Sequence, residues 1–299
     1  MQNRFPGWNP VDIGQYTQSV PELNKPWIQS WQETVIGKIP VVHSRLGNQD
    51  RWGFLKMRWG MGRMKYTVPP GLYGIGRPSA ESPVFVTANY KMTFDILRRD
   101  LTGLNGWILV LDTRGINVWC AAGKGTFGTR ELIHRIRVTA LERLLTHREL
   151  IVPQLGAVGI AAHKVKNETG FKVTYGPVRS MHISEFLENG KQCTKAMRKI
   201  RFSLADRLAL IPMELIPALK YYPIVLLLFA VKTWILKASW SGVFLTDSVG
   251  FFGALITGTV LAPALLPWLP GRAFSFKGAF LGLLYALLWS GMTKADASG

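Results

Sequence analysis

Residues 248–271 run for 24 positions without a charged side chain. A helix of about 20 apolar residues crosses the ~30 Å hydrocarbon layer of a bilayer, so this stretch reads as a membrane span and excludes a wholly soluble chain. A second uncharged run covers 278–293 and extends back through 273–276 if Lys277 snorkels to the interface. A third, 221–236, contains Lys232, which is expected to snorkel rather than to act on a substrate. The Pro-interrupted amphipathic stretch 204–219 is expected to lie along the membrane surface. The expectation is a transmembrane helical domain over 200–299 with about three spans, 221–236, 248–271 and 273–293. Arg198, Lys199, Arg201, Arg207 and Lys220 precede the first span, and Arg272 and Lys277 lie between the second and third. By the positive-inside rule both sets face the cytoplasm, giving a multi-pass protein of the cytoplasmic membrane with its large N-terminal part inside the cell. The first ten residues are polar and aromatic and read as no signal peptide.

Charge and cysteine content narrow the rest. The chain has 36 Lys and Arg against 18 Asp and Glu, a net charge of +18, and 28 of those cations precede residue 200. Such a balance suits nucleic acid or an anionic membrane surface, but 48% hydrophobic residues and eleven Trp favour the membrane. Attraction of a tethered basic domain to anionic headgroups, about 1 kcal/mol per well-placed cation, accounts for part of the excess, and nucleic acid is not expected as a partner. Two cysteines cannot build a disulfide framework, a four-ligand zinc site or an iron–sulfur cluster. Redox chemistry here needs a borrowed cofactor or a partner.

The region before residue 200 alternates strand and helix signals. Apolar, β-branched runs at 83–88 and 106–112, followed by 149–153 and 171–175, read as strands. Helical patterns fall at 91–101 and at 129–148, the latter with Thr129 as N-cap candidate and a stripe of Leu132, Ile133, Ile136, Ala140, Leu141, Leu144 and Leu145. The expected fold is α/β, a doubly wound (Rossmann-like) domain over 68–199, preceded by a tail and lead-in segment over 1–67. Ligands of such sheets sit at the carboxyl ends of the strands, so the informative segments are 89–90, 113–128, 154–163 and 176–179.

The segment after the 106–112 strand rejects two common readings. It lacks G-x-x-x-x-G-K-[ST], and its glycines at 115, 123, 125 and 128 do not follow G-x-G-x-x-G. It offers a lone cysteine on a short helical turn. Asn117 can cap that turn, and Cys120 then lies near the helix start, where the dipole favours a thiolate, with Lys124 one turn on as a second stabiliser. Such a thiolate suits a nucleophile, a metal ligand or a redox thiol, and a small buried hydrophobe is the plain alternative. None of His43, His134, His147, His163 and His182 is spaced to serve as its base.

The block Asn117-Val-Trp-Cys-Ala-Ala-Gly-Lys124 resembles the cap-helix signature of the HgcA family, the membrane-bound corrinoid proteins of mercury methylation. Val68-Pro-Pro-Gly-Leu-Tyr73, Ser82-Pro-Val-Phe-Val-Thr-Ala-Asn-Tyr-Lys91, Leu109-Val-Leu-Asp-Thr-Arg-Gly115, Pro153-Gln-Leu-Gly156 and Tyr175-Gly-Pro-Val-Arg179 are similar to that family and to the corrinoid domain of the corrinoid/iron–sulfur protein large subunit. The similarity covers about 68–200, and the family carries five membrane helices against about three here. It implies a corrinoid (cobalamin-type, cobalt) cofactor with Cys120 as lower axial ligand to the metal, and the chain lacks D-x-H-x-x-G, the His-ligand motif of the other common cobalamin-binding fold.

The resemblance further implies a corrinoid-dependent methyltransferase that passes a methyl group to inorganic Hg(II), forming methylmercury. Its electron donor would be a ferredoxin-like protein of the HgcB type with two 4Fe–4S clusters, and its upstream methyl donor folate-linked. The cofactor-binding candidates are Asn117, Val118, Trp119, Cys120, Ala121, Ala122, Gly123, Lys124, Thr126, Gly128 and Gly156. Each has a plainer role: Asn117 as a cap, Trp119 as core, the alanines and Gly123 as close packing, Lys124 as a solvated charge, Gly128 and Gly156 as turn residues, and Thr126 as a loop residue. Cys193 reads as incidental, or as a thiol that relays mercury. Two competing functions stand beside this one: a membrane-anchored corrinoid methyl carrier of one-carbon metabolism with another acceptor, and a non-catalytic, membrane-anchored basic domain that docks nucleic acid or a partner.

Overall fold

The computed structural model describes residues 25–298; the leader reading of the first ten residues, and the tail reading up to residue 24, lie outside it. The chain divides into two compact units, 25–55 with 62–200 and 56–61 with 201–298.

The first unit is built on a mixed seven-stranded sheet. Its elements in chain order are β1 (Ile28–Thr34), β2 (Gly37–Val42), α1 (Asn48–Arg58, whose last three residues are counted with the second unit), β3 (Gly71–Ile75), β4 (Val84–Ala88), α2 (Lys91–Asp100), β5 (Gly106–Leu111), α3 (Val118–Lys124), α4 (Thr129–Val138), α5 (Leu141–Leu144), β6 (Glu149–Val152), α6 (Ala162–Thr169), β7 (Lys172–Tyr175) and α7 (Ile183–Glu188). The strand order is β1-β2-β3-β5-β4-β6-β7. Strands β5, β4, β6 and β7 are parallel, whereas β1–β2 and β3–β5 are antiparallel. Residues 28–42, expected to belong to a lead-in segment, therefore extend the sheet, and the 3-2-1-4-5-6 order of a dinucleotide-binding Rossmann sheet is not what it adopts.

Alternation of side chains along each strand divides the core between two faces. Val84, Val86, Ala88, Trp107, Leu109, Leu111, Leu150 and Val152 point to one face and pack with Leu132, Ile133 and Ile136 of α4, Leu141 and Leu144 of α5 and Val165 of α6. Phe85, Ile108, Val110 and Ile151 point to the other, where α2 supplies Phe94 and Leu97 and α7 supplies Ile183 and Phe186. Burial on both faces is why the parallel strands read as unbroken apolar runs.

The long helix expected over 129–148 is two. Thr139 turns its hydroxyl back to Arg135 O at 2.8 Å, Ala140 takes a left-handed φ of 46°, and α5 restarts at Leu141. The apolar stripe survives the break, because the kink realigns Leu141 and Leu144 onto the same core. Thr129 is not the N-cap. Gly128 holds that position, and the Thr129 hydroxyl accepts from Ala161 N–H at 2.8 Å instead.

Beneath α2 lies a buried ion cluster. Lys91 Nζ reaches Asp50 Oδ1 at 2.7 Å and Asp95 Oδ2 at 2.6 Å, and Arg98 reaches Asp95 Oδ1 at 2.8 Å and Asp50 Oδ2 at 2.7 Å. Arg98 also donates to His43 O and Arg45 O, at 2.6 and 3.0 Å, tying α1 and the end of β2 to α2. Every charge has an opposite partner, as burial demands.

The second unit holds three helices long and apolar enough to cross a membrane, Leu204–Ile235, Trp240–Leu265 and Phe274–Thr293. At most 11% of each apolar window is buried, so their side chains face outward. The three-span expectation holds in number while the bounds move. Residues 211–219, expected on the membrane surface, continue into α9 (Ile211–Ile235) across Pro217 and Pro223, after a short α8 (Leu204–Leu208) capped by Ser203 and Asp206. The second span starts eight residues before the uncharged run, comprising a π turn at Trp240–Phe244, α10 (Leu245–Ile256), a second π turn and α11 (Ala262–Leu265). Asp247 is admitted to it because Lys232 Nζ pairs with its Oδ2 at 2.6 Å, so Lys232 bridges two helices rather than simply snorkelling. Pro267, Pro270 and the left-handed Gly271 keep the rest of the run out of the helix. Arg207 and Lys277, counted as loop charges, donate to the carbonyls of Ala264 and Leu266 at the end of α11, where helix carbonyls lack partners. The third span opens α12 (Phe274–Ser298).

Arg98→Leu should destabilise the first unit by about 3–5 kcal/mol, because it leaves the buried Asp50 and Asp95 to share Lys91, with one carboxylate charge uncompensated. Arg98→Lys should cost less. A lowered thermal midpoint in detergent, ranked Leu below Lys below wild type, checks this; equal midpoints would contradict it.

Candidate functional site

In the parallel part of the sheet the chain runs from β4 to β5 on one side and then returns past β4 to β6 on the other. The carboxyl ends of β4 and β6 are therefore a topological switch point, where open α/β sheets bind ligands. Three loops converge there.

The first follows β4. Asn89 is buried, and its Oδ1 accepts from Thr113 N–H at 3.1 Å, Thr113 Oγ1 at 2.8 Å and Gly115 N–H at 3.0 Å. Its Nδ2 donates to Asp112 Oδ1 at 3.2 Å, and Asp112 N–H in turn donates to Glu131 of α4 at 2.9 Å. This single amide folds the second loop, 112–117, against the strand ends. The turn needs left-handed backbone at Arg114 and Gly115, with φ of 57° and 71°, and Asp112 steadies it by accepting from Arg114 N–H at 3.0 Å.

The turn launches α3. Asn117 caps it as expected, its Oδ1 accepting from Cys120 N–H at 2.9 Å, and Gly125 closes it with a φ of 78°. The helix has two faces. Val118, Ala121 and Ala122 are buried with Ala88, Phe127 and Ile160, while Trp119, Cys120, Gly123 and Lys124 face outward. Trp119, with a core role as its plain alternative, is 59% exposed, and the Cys120 thiol is exposed. A side chain built on Gly123, one turn from Cys120, would meet nothing within 4 Å, so bare backbone and open space lie beside the sulfur. Thr126 donates to Ala121 O at 3.4 Å in the loop after the helix.

The third loop follows β6. Gly156 ends a short 3-10 turn that starts at Gln154, and a Cβ on it would stand 2.4 Å from the Phe127 ring. A Cβ on Gly128 would stand 2.7 Å from Gly125 O. Both glycines thus serve close packing beneath α3 rather than its open face. Gly159, absent from the sequence candidates, is needed as much: a Cβ there would lie 2.1 Å from Phe127 O. Thr129 and Tyr175 fix this loop, Tyr175 donating to Ile160 O at 2.6 Å. Gln154 Oε1 is buried without a hydrogen-bond partner. An orphaned acceptor at a switch point is the kind of group a ligand satisfies.

Among the described residues no three His, Cys, Asp or Glu side chains gather as metal ligands, and the thiol on the open face of α3 is that of Cys120. Cys193 is half-buried at the end of β7, its thiol directed to Tyr175 O at 3.8 Å, and burial pushes that thiol upward. The signal for Asn89 and Gln154 was their position immediately after a strand; for Glu131, which reaches across from α4, sequence held none.

Residues 61–187 match the protein-family model described as CO dehydrogenase/acetyl-CoA synthase delta subunit. The acetyl-CoA decarbonylase/synthase complex subunit gamma of Archaeoglobus fulgidus is 38% identical over 128 residues, 42% of this chain and 27% of that protein. The same subunit of Methanopyrus kandleri is 36% identical over 123 residues, 40% of this chain and 26% of its own length. The chain thus matches about a quarter of each relative. The matched region holds β3 to β7 and the whole of α3, and ends before the membrane spans.

Asn89→Ala would leave the Thr113 and Gly115 N–H groups unpaired, at about 1–3 kcal/mol for each buried group. The expected result is faster amide exchange across 113–125 with the β4–β6 core still protected. Exchange that rises uniformly through the unit would refute a local role for the amide.

Proposed function

We propose that the α/β unit binds a corrinoid through the open face of α3 and that the protein is a corrinoid-dependent methyltransferase delivering a methyl group to inorganic Hg(II). The exposed Cys120 thiol beside the bare backbone of Gly123 is the observation that carries this reading. A broad planar ligand needs a flat helix face around the donor atom, and the residue types present fit it: no side chain at 123, and the bulk of Val118, Ala121 and Ala122 turned inward. The relatives, named as subunits of an acetyl-CoA decarbonylase/synthase complex, support a domain of one-carbon chemistry.

A bound corrinoid would supply the cobalt that carries the methyl group. Cys120 would hold that metal, as an anionic sulfur donor rather than a neutral nitrogen. Thiolate ligation pushes electron density onto the metal, as it does for haem iron, and Hg(II) is an electrophile that must receive electron density with the methyl group. Asn117 would fix the sulfur's position by holding the Cys120 N–H. Gln154 would offer its free Oε1 to a donor on the ligand's rim. The electron donor in this reading is a ferredoxin-like partner with two 4Fe–4S clusters, the methyl donor is folate-linked, and the unit lies on the cytoplasmic side of the membrane.

The match to acetyl-CoA decarbonylase/synthase subunits favours a second reading, a membrane-anchored corrinoid methyl carrier whose acceptor is not mercury. The two part at Cys120, since transfer of a methyl cation has no need of a thiolate.

The visible spectrum of the full chain reconstituted with cobalamin, set beside its Hg(II) methylation, tests both. Wild type should bind cobalamin with a spectrum that Cys120→Ala changes, and Cys120→Ala should abolish methylmercury. Cys120→His should keep the corrinoid and sharply reduce transfer. Gly123→Leu should leave the fold intact and weaken binding by at least about tenfold, since a ~1.4 kcal/mol clash suffices. Absence of corrinoid binding sinks the proposal, as does a Cys120→Ala variant with unchanged spectrum and unchanged methylmercury; corrinoid binding without any methylmercury leaves the carrier reading.

A further inference from the structure

Helix α1 carries a second feature that the corrinoid site does not use. Its inward face is Asp50, Gly53 and Met57, all buried. Its outward face is Arg51, Trp52, Leu55, Lys56 and Arg58, all exposed, and Trp59 follows just past the helix end. At 100° per residue, Leu55, Trp59 and Trp52 form the centre of that outward face, with Arg58 and Arg51 along one flank and Lys56 along the other. The two tryptophans and Leu55 are 61%, 41% and 37% exposed. The acidic residue of the helix, Asp50, is turned inward to Lys91 and Arg98, so the outward face carries positive charge alone.

A water-facing helix has no reason to place two tryptophans on its outer ridge. Trp prefers the headgroup region of a bilayer, and Lys and Arg beside an apolar ridge reach out to lipid phosphates while their stems cover hydrocarbon. The same chain holds three helices long and apolar enough to cross a membrane. We infer that α1 is an interfacial helix that lays its Trp52–Leu55 ridge onto an anionic lipid surface. The inference is independent of the corrinoid reading. Charge complementarity selects anionic over zwitterionic lipid, and the ridge is too narrow and too densely flanked by cations to be a buried helix seam.

The test uses the full chain in lipid nanodiscs of phosphatidylcholine alone or mixed with phosphatidylglycerol, with or without bromine on the acyl chains. Subtracting the emission of Trp52→Phe from that of wild type isolates Trp52. Its emission should be shifted to the blue and quenched by brominated chains at least about twofold in the mixed discs, and less in phosphatidylcholine alone. The triple variant Arg51→Glu, Lys56→Glu, Arg58→Glu should lose that quenching while acrylamide quenching of Trp52 rises. Unquenched emission in the mixed discs overturns the inference, as does quenching that the triple variant retains. A blue shift without bromine quenching means that protein, not lipid, covers the ridge, and overturns it too.

Discussion

One side-chain amide organises the functional edge of this molecule. Asn89 stands where β4 ends, and its oxygen gathers the donors of Thr113 and Gly115 from the loop after β5. Without that acceptor, the left-handed turn at Arg114 and Gly115 would present buried N–H groups with nothing to bind, and α3 would lose its fixed point of departure. Everything that makes Cys120 accessible descends from this turn: the Asn117 cap, the inward packing of Val118, Ala121 and Ala122, and the outward thiol. The sheet supplies a rigid ledge, and the amide decides what stands on it.

The ion cluster has a comparable role along α2. By pairing Lys91 and Arg98 with Asp50 and Asp95, it joins the inward face of α1 to α2. That arrangement frees the ridge of α1 for a surface other than the protein's own core. In the second unit, Lys232 with Asp247, and Arg207 and Lys277 with helix carbonyls, show the same economy, since a charge near lipid is tolerated when it is matched within the bundle.

The features legible in the sequence were those that repeat or are chemically singular. The parallel strands showed as unbroken apolar runs, and the spans showed as charge-free stretches. Cys120 stood out as one of two cysteines, placed after a capping asparagine. Less legible were features set by distant partners. The break at Ala140 is invisible because the apolar period passes through it undisturbed. Thr129 looked like an N-cap because its type suits one, yet a loop thirty residues on competes for its hydroxyl. The strands at 28–42 gave no clear signal since β1 is an edge strand with mostly exposed residues. The second span began earlier than its uncharged core because a lysine on a neighbouring helix neutralises Asp247.

The openness of the α3 face also sets an order of events. A thiol that stands clear of its neighbours, with empty space over Gly123, is accessible to any soft metal ion that arrives first. The proposed substrate is such an ion. A newly made chain would therefore be vulnerable to capture by mercury at its own Cys120, a dead end, until a ligand covers the sulfur. In that reading loading must precede exposure, since a face open enough for a broad cofactor would leave the empty protein open to the metal it would modify.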